Sequence, residues 1–261
     1  MPTFDHDNIK IHYEISGDGP PLILIAGMMS DSASWAPLIP LLEPHYQIIR
    51  PDNRTTGRTT PWDAPVSIDL YARDCAALID RLSIGRAHVL GHSMGGMIGM
   101  RMARSFPETV KSLTLAATAP KRMERNLALF KALLATRQSN ASADTWLRAL
   151  YPWLFSPALY EVNGAVEQTL AAAMAYPYAQ TAPAMAHQLA ALEGYTPDPV
   201  SDLTCPLQAL LGQNDLLVPL EQARDSLGQT TTHVIAGAGH SIHWDQPEAV
   251  ADRLMAFALD D

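Results

Sequence analysis

Short runs rich in Val, Ile and Leu recur along the chain between longer segments in which apolar residues return every three or four positions. This alternation predicts the strands of a parallel sheet covered by crossover helices, an α/β arrangement. The head of the chain differs. Thr3 to His6 and Lys10 to Ile15 alternate polar and apolar residues around Asp7-Asn8, as a half-exposed antiparallel hairpin at a sheet edge does. Continuous apolar runs follow at Leu22 to Ala26, Tyr46 to Arg50, Ala87 to Leu90, Val110 to Ala116, Leu207 to Leu211 and Thr232 to Ile235. Each suits a strand covered on both faces. With the two hairpin strands they predict a mostly parallel, eight-stranded sheet flanked by helices.

Between these runs, Ile68, Tyr71, Ala72, Cys75, Leu78, Ile79 and Leu82 fall on one helical face, and Ser67 stands where a side chain caps the first turn. A second helix is predicted from Met94 to Ser105, stopped by Pro107. From about Pro120 to Pro197 the rhythm breaks. That stretch is alanine-rich, helical in pattern and interrupted at Pro152, Pro157, Pro177 and Pro183, and it reads as an inserted helical cap. The expected division is a core of residues 1–120 and 198–261 with a cap of residues 121–197.

Composition acts mainly by exclusion. With 261 residues, 48% hydrophobic and 17% charged, the chain can bury a core, which removes disordered and collagen-like classes. Eighteen Lys and Arg against 27 Asp and Glu leave a net charge of −9, which repels a phosphate backbone, so no nucleic acid is expected. No apolar run approaches the roughly 18 residues of a membrane span, and the N-terminus lacks the basic start and apolar stretch of a signal peptide. A cytoplasmic protein without a membrane partner is expected. Cys75 and Cys205 form no CxxC pair and are read as reduced thiols. Oligomeric state has no signal in the sequence.

The chemistry concentrates in Gly91-His92-Ser93-Met94-Gly95, directly after one apolar run and directly before a helical segment. With 15 Gly and 15 Ser in the chain, Gly-x-Ser-x-Gly arises by chance about 0.05 times, and the strand-turn-helix setting makes it more telling. Such a turn is so tight that the serine takes a strained conformation with its hydroxyl exposed above the sheet. Gly91 and Gly95 remove side chains that would crowd it, while Gly96 and Gly99 let the helix approach the strands.

A serine hydroxyl needs a base within hydrogen-bond reach, and the base needs an orienting carboxylate. Among nine histidines, His240 follows the last apolar run through Ala236-Gly-Ala-Gly, with His243 as its nearest rival. His92, adjacent to the serine, reads as a structural or pocket-lining residue. For the acid, Asp215 lies in Gly212-Gln-Asn-Asp215, after the penultimate run. The order Ser93, Asp215, His240 is that of one triad fold among several.

On these residues the chain resembles the α/β-hydrolase superfamily over essentially its whole length. Asp52-Asn-Arg54-Thr-Thr-Gly57-Arg-Thr59 resembles that family's structural Asp-x-Arg-Gly-x-Gly-x-Ser turn, with Thr55 and Thr59 as departures. Ala26 stands where many relatives carry histidine, before Gly27 and Met28. The resemblance implies an oxyanion hole made by the backbone N–H groups of Met28 and Met94, which do not depend on side-chain identity. The Gly-His-Ser-Met-Gly-Gly elbow is also similar to enol-lactonase and small ester hydrolase branches.

The expected activity is therefore that of a serine hydrolase cleaving an ester or lactone of a small, largely apolar substrate through an acyl-enzyme. Met29, Trp153 and His243 are the candidates for substrate contact. The same triad acting on a carbon–carbon bond or a carbamate is the alternative, and a non-catalytic small-molecule receptor is the alternative of another class. No cofactor or metal is expected, because the sequence has no dinucleotide-binding glycine fingerprint, no phosphate loop, no His-Glu-x-x-His and no cysteine cluster.

Overall fold

The apolar runs become strands because their residues bury both faces. In the computed structural model, which describes residues 2–258, they form β1 (Thr3–His6), β2 (Ile9–Ser16), β3 (Pro21–Ile25), β4 (Gln47–Pro51), β5 (Ala87–His92), β6 (Val110–Ala116), β7 (Leu207–Gly212) and β8 (Thr231–Ile235). These eight lie in the order β1-β2-β4-β3-β5-β6-β7-β8. The β1–β2 and β2–β4 pairs are antiparallel and the rest parallel, so the N-terminal hairpin does occupy an edge. The central strand β5 is buried at every residue and runs two residues past its apolar run, to His92. Tyr46, read as the start of a strand, precedes β4.

Successive side chains point to opposite faces, so each strand feeds two cores. Ile23, Ile25, Val89, Leu113 and Leu115 pack on one side with α1 (Ile68–Arg81) and α2 (Met94–Ser105). Leu22, Leu24, Leu90 and Leu210 pack on the other with Trp35, Leu38 and the C-terminal helix, residues 247–258. Ser67 Oγ accepts the Leu70 N–H at 3.1 Å, giving α1 its expected cap.

The chain between β6 and β7 carries α3 (Glu124–Arg137), α4 (Thr145–Leu154), α5 (Ala165–Ala175) and α6 (Ala182–Glu193). Pro183 lies in the first turn of α6, where a missing N–H costs nothing. Pro152 does not break its helix as the sequence reading expected. It lies inside α4, three residues before Phe155 takes extended backbone and ends it. The last elements are α7 (Leu220–Leu227) and α8 (Pro247–Ala258).

The Asp52–Thr59 turn locks these parts together. Asp52 accepts the Ser32 N–H at 2.9 Å and the Arg58 N–H at 2.8 Å. Arg54 grips Asp74 of α1 with two bonds of 2.6 and 2.8 Å. Asn53 Nδ2 donates to Ala26 O at 3.0 Å, tethering the loop after β3. Thr59 suits its place, since its hydroxyl donates to Asp52 O at 2.7 Å and accepts the His12 N–H at 3.0 Å. Among the described residues, no helix is long and apolar enough to cross a membrane.

Candidate active site

Four strand ends converge on one rim of the sheet. Ser93 sits between β5 and α2 with φ +54° and ψ −119°, a conformation disfavoured for any residue with a Cβ. The turn enforces it from both sides. The Ser93 N–H donates to Ala116 O and its carbonyl accepts from Gly96 N–H, both at 2.9 Å. The chain passes so closely that a Cβ on Gly91 would lie 2.7 Å from Gly96 Cα, and one on Gly95 would lie 2.7 Å from the Ile25 carbonyl carbon. Glycine is required at both.

Asp215 and His240 meet at the ends of β7 and β8. His240 Nδ1 lies 2.9 Å from Asp215 Oδ2, and both residues are buried. A carboxylate only accepts, so Nδ1 carries the proton and Nε2 keeps the lone pair. The other carboxylate oxygen, Oδ1, accepts the N–H groups of Leu217 and Val218, each at 2.8 Å. Those two bonds fix the carboxylate plane and with it the imidazole. The Ser93 hydroxyl is not joined to His240 by a hydrogen bond; it lines the neighbouring cavity.

Met28 and Met94 are buried and their N–H groups donate to no described residue, although the N–H groups of Met29 and Ser93 beside them are occupied. Ser93 N–H is used by Ala116, and Met29 N–H by Gln188 Oε1 at 2.8 Å. Two free buried donors flanking a serine are what a developing oxyanion needs. Both residues line the same cleft as Ser93, which encloses about 590 Å³ of empty space, part of it open to solvent. Met97, Met123, Leu127, Phe130 and Leu192 give it an apolar wall, with Lys121, Arg122 and Asn126 at the cap side.

The three side chains expected to touch substrate do not line this cleft. His243 is buried with its ring 4.5 Å from His92 and 4.8 Å from Trp35, a packing position under the site. Trp153 is covered by Arg125, whose guanidinium carbon lies 5.7 Å from the ring centroid. Met29 acts through its backbone. Burial, then the nearby imidazoles, pushes His243 well below the ordinary histidine range. His92 goes the same way, to about 3, through burial and then His240. Its neutral ring donates from Nε2 to His240 O at 2.9 Å and does not line the cleft, which favours the structural of the two roles read for it over the pocket-lining one.

Asp245 was missed by sequence reasoning. Its Oδ2 accepts the Gly239 N–H at 2.7 Å and the Ser156 N–H at 3.0 Å, and Ser241 N–H donates to Leu154 O at 2.7 Å. The histidine loop is thus pinned to the end of α4. Burial raises the Asp245 carboxyl above the usual range. Its place five residues after His240 carried no signal by itself. Among the described residues, no group of three or more His, Cys, Asp or Glu side chains is arranged to hold a metal ion.

Comparison with known proteins places these features in context. Residues 22–253 match the Alpha/beta hydrolase family. A protein of Azorhizobium caulinodans named "Putative carbamate hydrolase RutD" is 32% identical over 224 residues, covering 84% of this chain and 82% of the relative. A solved structure from Mycobacterium tuberculosis, described as a "Putative non-heme bromoperoxidase BpoC", superposes with a TM-score of 0.85 at 27% identity over 96% of each chain. The enol-lactonase from Burkholderia xenovorans shares the fold, with a TM-score of 0.84 at 22% identity, over 99% of this chain and all of that one. The chain belongs to the α/β-hydrolase family.

Proposed function

We propose that this protein is a serine hydrolase that cleaves an ester or lactone with an apolar acyl portion. The observation that carries the reading is the 2.9 Å contact between His240 Nδ1 and Asp215 Oδ2, with the carboxylate pinned by two backbone donors. That arrangement leaves His240 Nε2 as a base, and the strained Ser93 beside the cleft is the group to use it.

In the reaction, Ser93 Oγ bonds to the substrate carbonyl carbon as its proton passes to His240 Nε2. The carbonyl electrons move onto oxygen, and the N–H groups of Met28 and Met94 donate hydrogen bonds to the oxyanion that forms. Collapse breaks the bond to the leaving oxygen, which takes the proton from His240. Water, deprotonated by His240, then attacks the acyl-enzyme and releases the acid, returning the proton to Ser93. In unliganded hydrolases the serine–histidine contact is commonly long and tightens when substrate binds.

The name of the Azorhizobium caulinodans relative favours a second reading, the same triad acting on a carbamate. An apolar wall of two methionines, a phenylalanine and two leucines supports the ester reading over a small polar carbamate. A panel of p-nitrophenyl esters, γ-lactones and N-alkyl carbamates separates the two, with fluorophosphonate labelling of Ser93 read by mass spectrometry. Ser93→Ala is expected to lower turnover by about 10⁶. Unchanged turnover in the folded variant, or no labelling of wild type, rejects the reading and favours a receptor.

A further inference from the structure

The loop that carries the Met28 N–H is held by the cap. We propose that Gln188, on α6, is a positioning residue for the oxyanion hole, an inference that rests on the serine hydrolase reading. Gly27 to Ser30 form a four-residue turn closed by the Ser30 N–H to Gly27 O bond of 3.3 Å. Met29, its third residue, has φ +64°, the conformation that a type II turn imposes and that favours glycine there. A methionine stays in it only when its surroundings over-determine it.

The surroundings are one side chain from 159 residues away. Gln188 is fully buried, and its Oε1 accepts the Met29 N–H at 2.8 Å. The same oxygen accepts from Gln180 Nε2 at 3.1 Å, and that amide also donates to Thr55 O at 2.9 Å. Tyr71 lies beside Gln188 and Thr55, and burial pushes its phenol to about 12, so it stays neutral. Without the Gln188 oxygen, nothing ties the Met29 N–H to α6, Met29 relaxes from its strained φ, and the loop whose Gly27–Met28 peptide carries the Met28 N–H is no longer held in place at the cleft.

A second tie joins the same loop to the cap: Tyr176 Oη donates to Asp31 Oδ2 at 2.8 Å. The cap therefore shapes the site as well as covering it. Gln188 does not line the cleft, so its loss should weaken transition-state stabilisation with little change in substrate binding.

The test compares wild type, Gln188→Leu, Gln188→Glu and Gln180→Leu on one hydrolysed p-nitrophenyl ester. Gln188→Leu is expected to lose about 10² in kcat with KM within about threefold, the signature of a lost oxyanion donor. Affinity for a trifluoromethyl ketone, whose adduct carries an oxyanion, should fall in parallel. Gln188→Glu keeps an acceptor oxygen and should recover at least tenfold, while Gln180→Leu should show a smaller loss in the same direction. If Gln188→Leu does not fold, the Glu and Gln180 variants carry the comparison. Wild-type kcat in a folded Gln188→Leu or Gln180→Leu protein, or equal losses in kcat and ketone-independent labelling without rescue by Glu, overturns the proposal. Fluorophosphonate labelling of wild type at Ser93 keeps that failure distinct from failure of the hydrolase reading.

Discussion

Asp215 is held by three bonds, and two substitutions separate what they do. Asn keeps a carbonyl oxygen for the N–H groups of Leu217 and Val218, each at 2.8 Å. It presents an NH₂ group to His240 Nδ1, where a carboxylate oxygen now lies at 2.9 Å. Nδ1 must then accept, the proton moves to Nε2, and the base of the proposed reaction is lost. The expected result for Asp215→Asn is a fall in kcat of about 10⁴. Its stability should stay within about 2 kcal/mol of wild type, the difference between a charge-assisted and a neutral bond. Asp215→Ala also strands two buried donors at about 1 to 3 kcal/mol each, so it should be less stable than Asn by about 2 to 6 kcal/mol. Turnover on the best ester and urea midpoints for the three proteins give both numbers. An Asn variant with more than a tenth of wild-type kcat, or an Ala variant as stable as Asn, refutes the reasoning.

Other perturbations test the frame around the site. Removing Arg54 takes both short hydrogen bonds from the buried Asp74 and leaves, among the described residues, only His6 Nε2 3.8 Å away, so Arg54→Leu should destabilise by about 3 to 5 kcal/mol in urea, and adding Asp74→Leu should restore part of it. His92 has a folded pKa near 3 against about 6.5 when unfolded, so the stability it contributes is complete above pH 6.5 and is lost as pH falls toward 3. At about pH 4.5 the loss is about 3 kcal/mol, and His92→Gln should lack that component; equal pH slopes in the two proteins would contradict it. Phe130→Ala enlarges the apolar wall and should raise the kcat/KM ratio of octanoyl to acetyl esters about tenfold, at about 3 kcal/mol of stability.

The sequence carried the sheet almost entirely, because burial on both faces leaves a local record in β5 and its neighbours. Ser93, Asp215 and His240, the residues of the proposed reaction, stood out in it because each follows a strand and lies in glycine-rich or turn-forming surroundings. The lining of the cleft was not legible. Trp153 and His243 looked suited to a ligand by residue type, yet Arg125 covers one and Trp35 packs against the other. The contacts between the helices that follow β6 and the loop after β3 span more than a hundred residues, as between Tyr176 and Asp31 or Gln188 and Met29, and no local pattern records such a pairing. Met97, Met123 and Phe130 were equally silent, because an apolar residue facing a cleft is written like one facing a core.

The left-handed backbone at position 93 sets two demands against each other. Glycine would sit there without penalty, so a library of this chain screened for heat resistance alone would drift toward glycine and, under the proposed function, go inert. Selection for ruggedness has to be paired at every round with selection for turnover, or the most durable survivors will be those that have given up the reacting oxygen.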